Sequence, residues 1–255
     1  MALLVGLSIR FLLAIGFYGG GDATNGASFY DFVYSGFDVF SARSPWPYFP
    51  FTNAYAWLWG ILSNLLHINV NLAYRLTSSA YDIAIGVLLF QYAKQSIPDK
   101  AVRVFWLYMI NPVTIFIVSL LGFTDSTMIF FLLLACYYSD FHSSKTSSVV
   151  SAISLAMSIS LKPIGLVFIP YIFMRSRYKV HYVISIGLTT IILNSYYIIG
   201  ASLNDFIFLF KLIFIKISMG HQIGDLGLAP VIVQVFGESG TAIFVLISLL
   251  NLIGI

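Results

Sequence analysis

Apolar runs at about 2–18, 51–66, 72–93, 104–121, 126–139, 148–174, 180–200 and 229–251, with a weaker one at 206–217, leave this chain few ways to fold. They are longer than the alternating segments of about 10 residues that build a membrane β-barrel, so they read as helices. Only 9% of the residues are charged and 59% are hydrophobic, against roughly 25% charged in soluble domains. The expectation is an all-α, polytopic integral membrane protein. Crossing about 30 Å of hydrocarbon at about 1.5 Å per residue takes about 20 residues. Runs that fall short of this, or are broken, mark places where the chain does something other than cross.

The first run has no basic start and no small-residue cleavage site, so it reads as a retained helix and not as a signal peptide. Cys136, the single cysteine, lies in an apolar run and reads as inert core. The net charge of +3 comes from scattered basic residues and offers nothing to nucleic acid.

Basic residues in short loops set the orientation. Lys94, Lys100 and Arg103 form one cluster, Lys145 stands alone, and Arg175, Arg177 and Lys179 form another; all read as cytoplasmic. Runs 104–121 and 126–139 then cross out and back, with the turn Leu121 to Ser126 outside. Residues 148–174 must also go out and return, which gives a short hairpin with Leu161-Lys162-Pro163 at its apex. Run 72–93 passes inward, which leaves 51–66 as a re-entrant or interfacial helix. Residues 19–50 become a structured first external loop, 200–228 a second, and the amino terminus is cytoplasmic. The weaker run 206–217 lies on the outer surface, 218–228 is exposed, and 229–251 crosses inward. One domain over 1–255 is expected, with an incomplete carboxy-terminal part, because the chain stops inside the apolar stretch Leu246 to Ile255. It contains no internal repeat.

This topology gathers Asp22, Arg75, Asp125, Lys162 and His221 at the outer face. Asp22 follows Gly19-Gly20-Gly21, which let the backbone approach the membrane closely. It is either a polar helix end at the water boundary or a general base toward a sugar hydroxyl. Ser44 to Pro50, containing Trp46 and Tyr48, is made rigid by its prolines, and it reads as an interfacial aromatic belt or as a surface for sugar or lipid. Arg75 and Asp82 share a helix face; Arg75 reads as an anion binder and Asp82 as a structural group in need of a partner.

Asn111-Pro112 breaks a helix partway through its crossing. Thr124-Asp125-Ser126 starts the next one, and Asp125 can cap it and bind substrate as well. Lys162, at the apex of an apolar hairpin, either snorkels to headgroups or meets an anion, for which phosphate is the natural choice. His221 is an ordinary loop histidine or a donor to phosphate. His67, His142 and His181 have no metal-ligand spacing; a divalent cation held by the carboxylates of Asp22 and Asp125 stays open, with no motif behind it.

Taken in order, Gly21-Asp22, Pro45-Trp46-Pro47-Tyr48-Phe49-Pro50, Arg75 with Asp82, Asn111-Pro112 before Gly122-Phe123-Thr124-Asp125, and Leu161-Lys162-Pro163 resemble the GT-C superfamily over roughly residues 1–175. These are membrane glycosyltransferases that use polyprenyl-phosphate sugars. The nearest branches are the mannosyltransferase adding the first mannose of GPI anchors, the glucosyltransferases of N-glycan assembly, and prokaryotic relatives. The resemblance implies Asp22 as base and Lys162 as the hairpin lysine. It sets Gly122 to Asp125 at the family's Gly-Gln-x-Asp turn, where this chain has Phe123-Thr124 in the middle.

The implied activity moves a hexose, mannose in the first instance, from a polyprenyl-phosphate donor to a lipid-linked or glycan acceptor, with inversion. Arg75 and Lys162 would hold the phosphate. The membrane would be the plasma membrane of a prokaryote or the endoplasmic reticulum of a eukaryote. A transporter or lipid-linked-sugar flippase, and a non-catalytic membrane subunit, are the rival readings.

Overall fold

The computed structural model describes residues 1–17, 30, 50–120 and 125–195, all of which belong to one compact unit. Every regular element among them is helical, as the apolar runs predict. In chain order they are α1 (Ala2–Gly16), α2 (Pro50–Leu66), α3 (Val70–Ser96), α4 (Ala101–Met109), α5 (Pro112–Ile115, continued by a wider turn Phe116–Leu120), α6 (Asp125–Phe141), α7 (Lys145–Leu161), a tight 3-10 stretch Pro163–Phe168, α8 (Ile169–Arg175) and α9 (Lys179–Leu193).

Helices α6 and α7 form an antiparallel hairpin. Its turn is closed by Ser144, whose hydroxyl accepts from the Ser147 N–H at 3.0 Å while the Ser147 hydroxyl accepts from the Ser144 N–H at 2.9 Å. These bonds satisfy backbone donors that the first turn of α7 would otherwise leave open. Small residues face inward along α7, including Ser147, Ser151, Ser154 and Ser158, and let the backbones come close. Ser151 uses this proximity to donate to the Ala135 carbonyl at 2.8 Å. Around the contact sits an apolar cluster of Ala135, Ala152, Leu155, Ile159, Ile172 and Tyr182.

The hairpin expected over 148–174 is present, with a longer first limb than anticipated. Helix α7 starts at Lys145 and runs 17 residues to Leu161, because the capping serines begin it before the apolar run does. The return limb comes back alongside it, and Ser176 donates to Ser148 at 3.1 Å near the base.

Contacts between helices define the two ends of the body. At one end, Ser126 of α6 donates to the Ser78 carbonyl of α3 at 3.0 Å, and the Asn194 amide after α9 reaches Ser160 of α7 at 3.3 Å. This is the Lys162 end. At the other, Asp140 accepts from Tyr92 of α3 and from Tyr171 of α8, with Arg175 Nε 3.8 Å away. Lys94, Lys145 and Lys179 lie toward this end, opposite Arg75, Asp125 and Lys162.

Residues 51–66 form one uninterrupted helix, so no reversal of a re-entrant segment occurs inside them. Trp59 packs on Tyr74 at 4.3 Å and Tyr55 on Tyr81 at 6.3 Å, so α2 runs antiparallel to α3. No single helix among the described residues is long and apolar enough to cross a membrane; Pro98–Met109 and Pro112–Ser119 pass that test only as a pair, bent by 42°. Helix α3 has the length, 27 residues, but its buried side carries Asn71, Arg75, Ser78, Ser79 and Asp82.

The bend between α4 and α5 explains the second polar interior. Pro112 has no N–H, and the Val113 N–H is taken by the Asn111 side chain at 2.9 Å. The Met109 carbonyl thereby loses its helical donor, and Arg10 of α1 supplies one at 2.6 Å. Arg10 also donates through Nε to Asp82 at 2.6 Å, and Tyr108 donates to the other Asp82 oxygen at 2.5 Å. Asp82 thus has the partner its depth demands, and that partner is Arg10, a residue the sequence reading passed over inside the first apolar run.

Gly6 lets α1 come this close, since a β-carbon there would stand 3.1 Å from the Met109 carbonyl oxygen and overlap the Met109 side chain. Gly6→Leu is expected to push α1 away and cost about 1–3 kcal/mol by overpacking, with Gly6→Ala intermediate. Thermal unfolding of the purified protein in detergent would check both.

Candidate functional site

Lys162 owes its place to the residue after it. Proline disfavours a helical conformation in its predecessor, and Lys162 adopts an extended one, φ −145° and ψ 134°, as α7 ends. Its N–H still closes the last turn on Ser158 at 3.0 Å. The chain then reverses so tightly that a β-carbon on Gly165 would lie 3.0 Å from Ile159 and 3.1 Å from the Ser158 hydroxyl. The lysine is therefore carried at a fixed apex.

Its ammonium forms an ion pair with Asp125, the first residue of α6. The two side chains are 35% and 40% exposed, so the pair is open to solvent or headgroups. Lys162 and Asp125, 37 residues apart, are thus brought together at one end, where the sequence reading set both.

Arg75 is arranged differently. It is 3% exposed on α3, its Nε donates to Asn71 one turn back at 2.9 Å, and its Nη1 is buried with no hydrogen-bond partner among the described residues. No carboxylate among the described residues pairs with it. On the facing stretch of α2, the Trp59 ring packs edge-on against Tyr55 at 5.0 Å and against Tyr74 at 4.3 Å. A buried donor without a partner costs about 1–3 kcal/mol, and more when it is charged. Such groups are retained where something else satisfies them.

The Lys162 end is tied together around these residues. Ser126, next to Asp125, bonds to Ser78, which is three residues beyond Arg75 on α3. Thr127 shares a 2.7 Å hydrogen bond with Tyr55 of α2. The hydroxyls therefore fix the start of α6 against both α2 and α3, and with it the carboxylate that meets Lys162.

Asp22, Trp46, Tyr48 and His221 lie outside the described residues, as do Gly122, Phe123 and Thr124. Gly6 lies by Met109 and Arg10 by Asp82, so α1 runs antiparallel to α3 and points Phe17 toward the Lys162 end. Tyr30 from the first loop rests where a side chain on Gly60 would be. No group of three or more His, Cys, Asp or Glu among the described residues could hold a metal ion.

Comparison with protein-family models, with curated proteins and with solved structures found no match.

Proposed function

We propose that this chain is a multi-pass membrane glycosyltransferase of the GT-C type, taking a hexose from a polyprenyl-phosphate carrier to a lipid-linked or glycan acceptor. The observation that carries the reading is the Arg75 guanidinium, buried with an unmatched donor at the end of the body where Lys162 stands. A buried cation with no carboxylate partner among the described residues suits a site whose anion arrives with the substrate, and phosphate accepts from guanidinium and ammonium alike.

The surface supports a lipid setting. Leu12, Leu107, Ile117, Leu166, Leu188 and Ile192 are exposed, whereas Arg10, Asp82 and many serines are buried. Water favours the opposite arrangement. Arg75, Asp125 and Lys162 then share the non-cytoplasmic end, because Lys94, Lys145 and Lys179 gather at the other.

In the proposed reaction Asp22 takes the proton of the acceptor hydroxyl as that oxygen bonds to the anomeric carbon. The bond from that carbon to the phosphate oxygen breaks, and polyprenyl phosphate leaves with the electron pair, held by Arg75 and Lys162. A single displacement inverts the anomeric centre.

The test is incubation of membranes containing the protein with a panel of radiolabelled polyprenyl-phosphate sugars. Transfer to a glycolipid acceptor is expected for one of them, mannose first, and Asp22→Asn should abolish it at unchanged protein level. Turnover retained in Asp22→Asn would remove its role as base.

The Arg10–Asp82 pair, set inside the body away from the Lys162 end, favours a lipid-linked-sugar transporter as second reading. That reading predicts movement of the intact donor across vesicles without cleavage.

A further inference from the structure

The charges at the Lys162 end are unequal in their needs. Lys162 is already neutralised by Asp125, whereas Arg75 is not neutralised by any described carboxylate. With the pair closed, the Lys162 and Asp125 charges cancel; with Asp125 turned away, the Lys162 ammonium is free for a ligand's phosphate.

Resting on the glycosyltransferase reading, we infer that Asp125 is an internal substitute for phosphate on Lys162, closed over the ammonium while the bound phosphate is a diester and released as it becomes a monoester. A sugar phosphodiester carries one negative charge and is matched by Arg75 alone. When the glycosidic bond breaks, the carrier becomes a phosphomonoester of about −1.5 to −2 at neutral pH. The second charge is matched only if Lys162 is freed. An interaction made as charge develops lowers the barrier, whereas one made equally to the donor does not.

The geometry permits the exchange. The ion pair is more than one-third exposed on both sides, and exposed pairs are worth about 1 kcal/mol or less, so a phosphate can displace the carboxylate. Asp125 has no other hydrogen bond among the described residues, and it stands in the first turn of α6, where a freed carboxylate remains favoured by the helix N-terminus. Pro163 and the close return at Gly165 hold the Lys162 backbone in place while the side-chain partner changes.

The experiment measures binding to the full chain in detergent, with geranylgeranyl phosphate as the monoester, its methyl ester as the diester, and inorganic phosphate as the lipid-free arm. Asp125→Asn removes the competing charge, so monoester affinity should rise about five-fold, the equivalent of an exposed ion pair, with a smaller gain for the diester. In a Lys162→Met background the same substitution should change nothing. Inorganic phosphate should show the same direction if the headgroup chemistry alone is read; a gain confined to the lipid arm would assign the site to the lipid phosphate.

Unchanged or weaker monoester binding in Asp125→Asn, or a gain that survives Lys162→Met, overturns the proposal. Should Asp125→Asn fail to accumulate, Asp125→Ser carries the same expectation. These readings need no turnover: transfer without the affinity gain would leave the enzyme and remove the latch, and the gain without transfer would do the reverse.

Discussion

Arg10→Met is expected to destabilise the helical body by about 3–5 kcal/mol, because it strands Asp82 as a buried carboxylate with Tyr108 as its remaining partner. The same substitution takes the donor from the Met109 carbonyl, which the Asn111-Pro112 break has already removed from its helix. For a chain of this length about 3–5 kcal/mol corresponds to a fall of roughly 10 °C or more in melting temperature. Arg10→Met combined with Asp82→Leu should recover much of the loss, since a buried ion pair replaced on both sides by apolar groups is often close to neutral. It should not recover all of it, because the Tyr108 hydroxyl loses the carboxylate and the Met109 carbonyl its donor. Thermal unfolding by circular dichroism in detergent reads all three proteins. A single variant as stable as the native protein would mean the network does not hold the bend.

Arg75→Met is expected to move stability and activity in opposite directions. Removing a buried guanidinium with an unmatched Nη1 should raise stability by about 1–3 kcal/mol, because the desolvation cost disappears and only the bond to Asn71 is lost. Sugar transfer at low donor concentration should fall by about 10-fold to 100-fold, the equivalent of one charge-assisted hydrogen bond to the donor phosphate. A purely structural arginine would give the other pattern, with loss of stability and loss of activity together. Sites that bind charge are commonly strained in this way when empty.

The fold was legible where a physical constraint acted over the whole chain. The alternation of apolar runs with basic loops is enough to send Lys162 and Asp125 to the same end of a helical body, where their opposite charges pair. The break at Asn111-Pro112 was equally plain, because proline removes a donor wherever it falls in a helix. What periodicity does not carry is which distant group repairs the break. Arg10 was the one charge in the first run, and a lone arginine there should have been paired with Asp82, the lone acid of 72–93. Parity, length and the Pro-rich entry allow 51–66 to be re-entrant or interfacial, and only contacts such as Trp59 on Tyr74 and Tyr55 on Tyr81 show it as one unbroken helix antiparallel to α3. Of the candidate site, Arg75, Asp125 and Lys162 stand at one end as expected, while Asp22, Trp46, Tyr48 and His221 lie outside the described residues.

Most direct is the melting temperature of the purified protein and of Arg75→Met, each with and without a saturating polyprenyl phosphate. A ligand that binds only the folded form raises stability by an amount set by its concentration over its dissociation constant, about 2.7 kcal/mol at one hundred-fold excess. The native protein should gain several degrees from the lipid phosphate, and Arg75→Met should start higher and gain much less, with Lys162 as its remaining cation. Equal gains in the two proteins, or a lower starting temperature for Arg75→Met, would contradict an anion site built around that arginine.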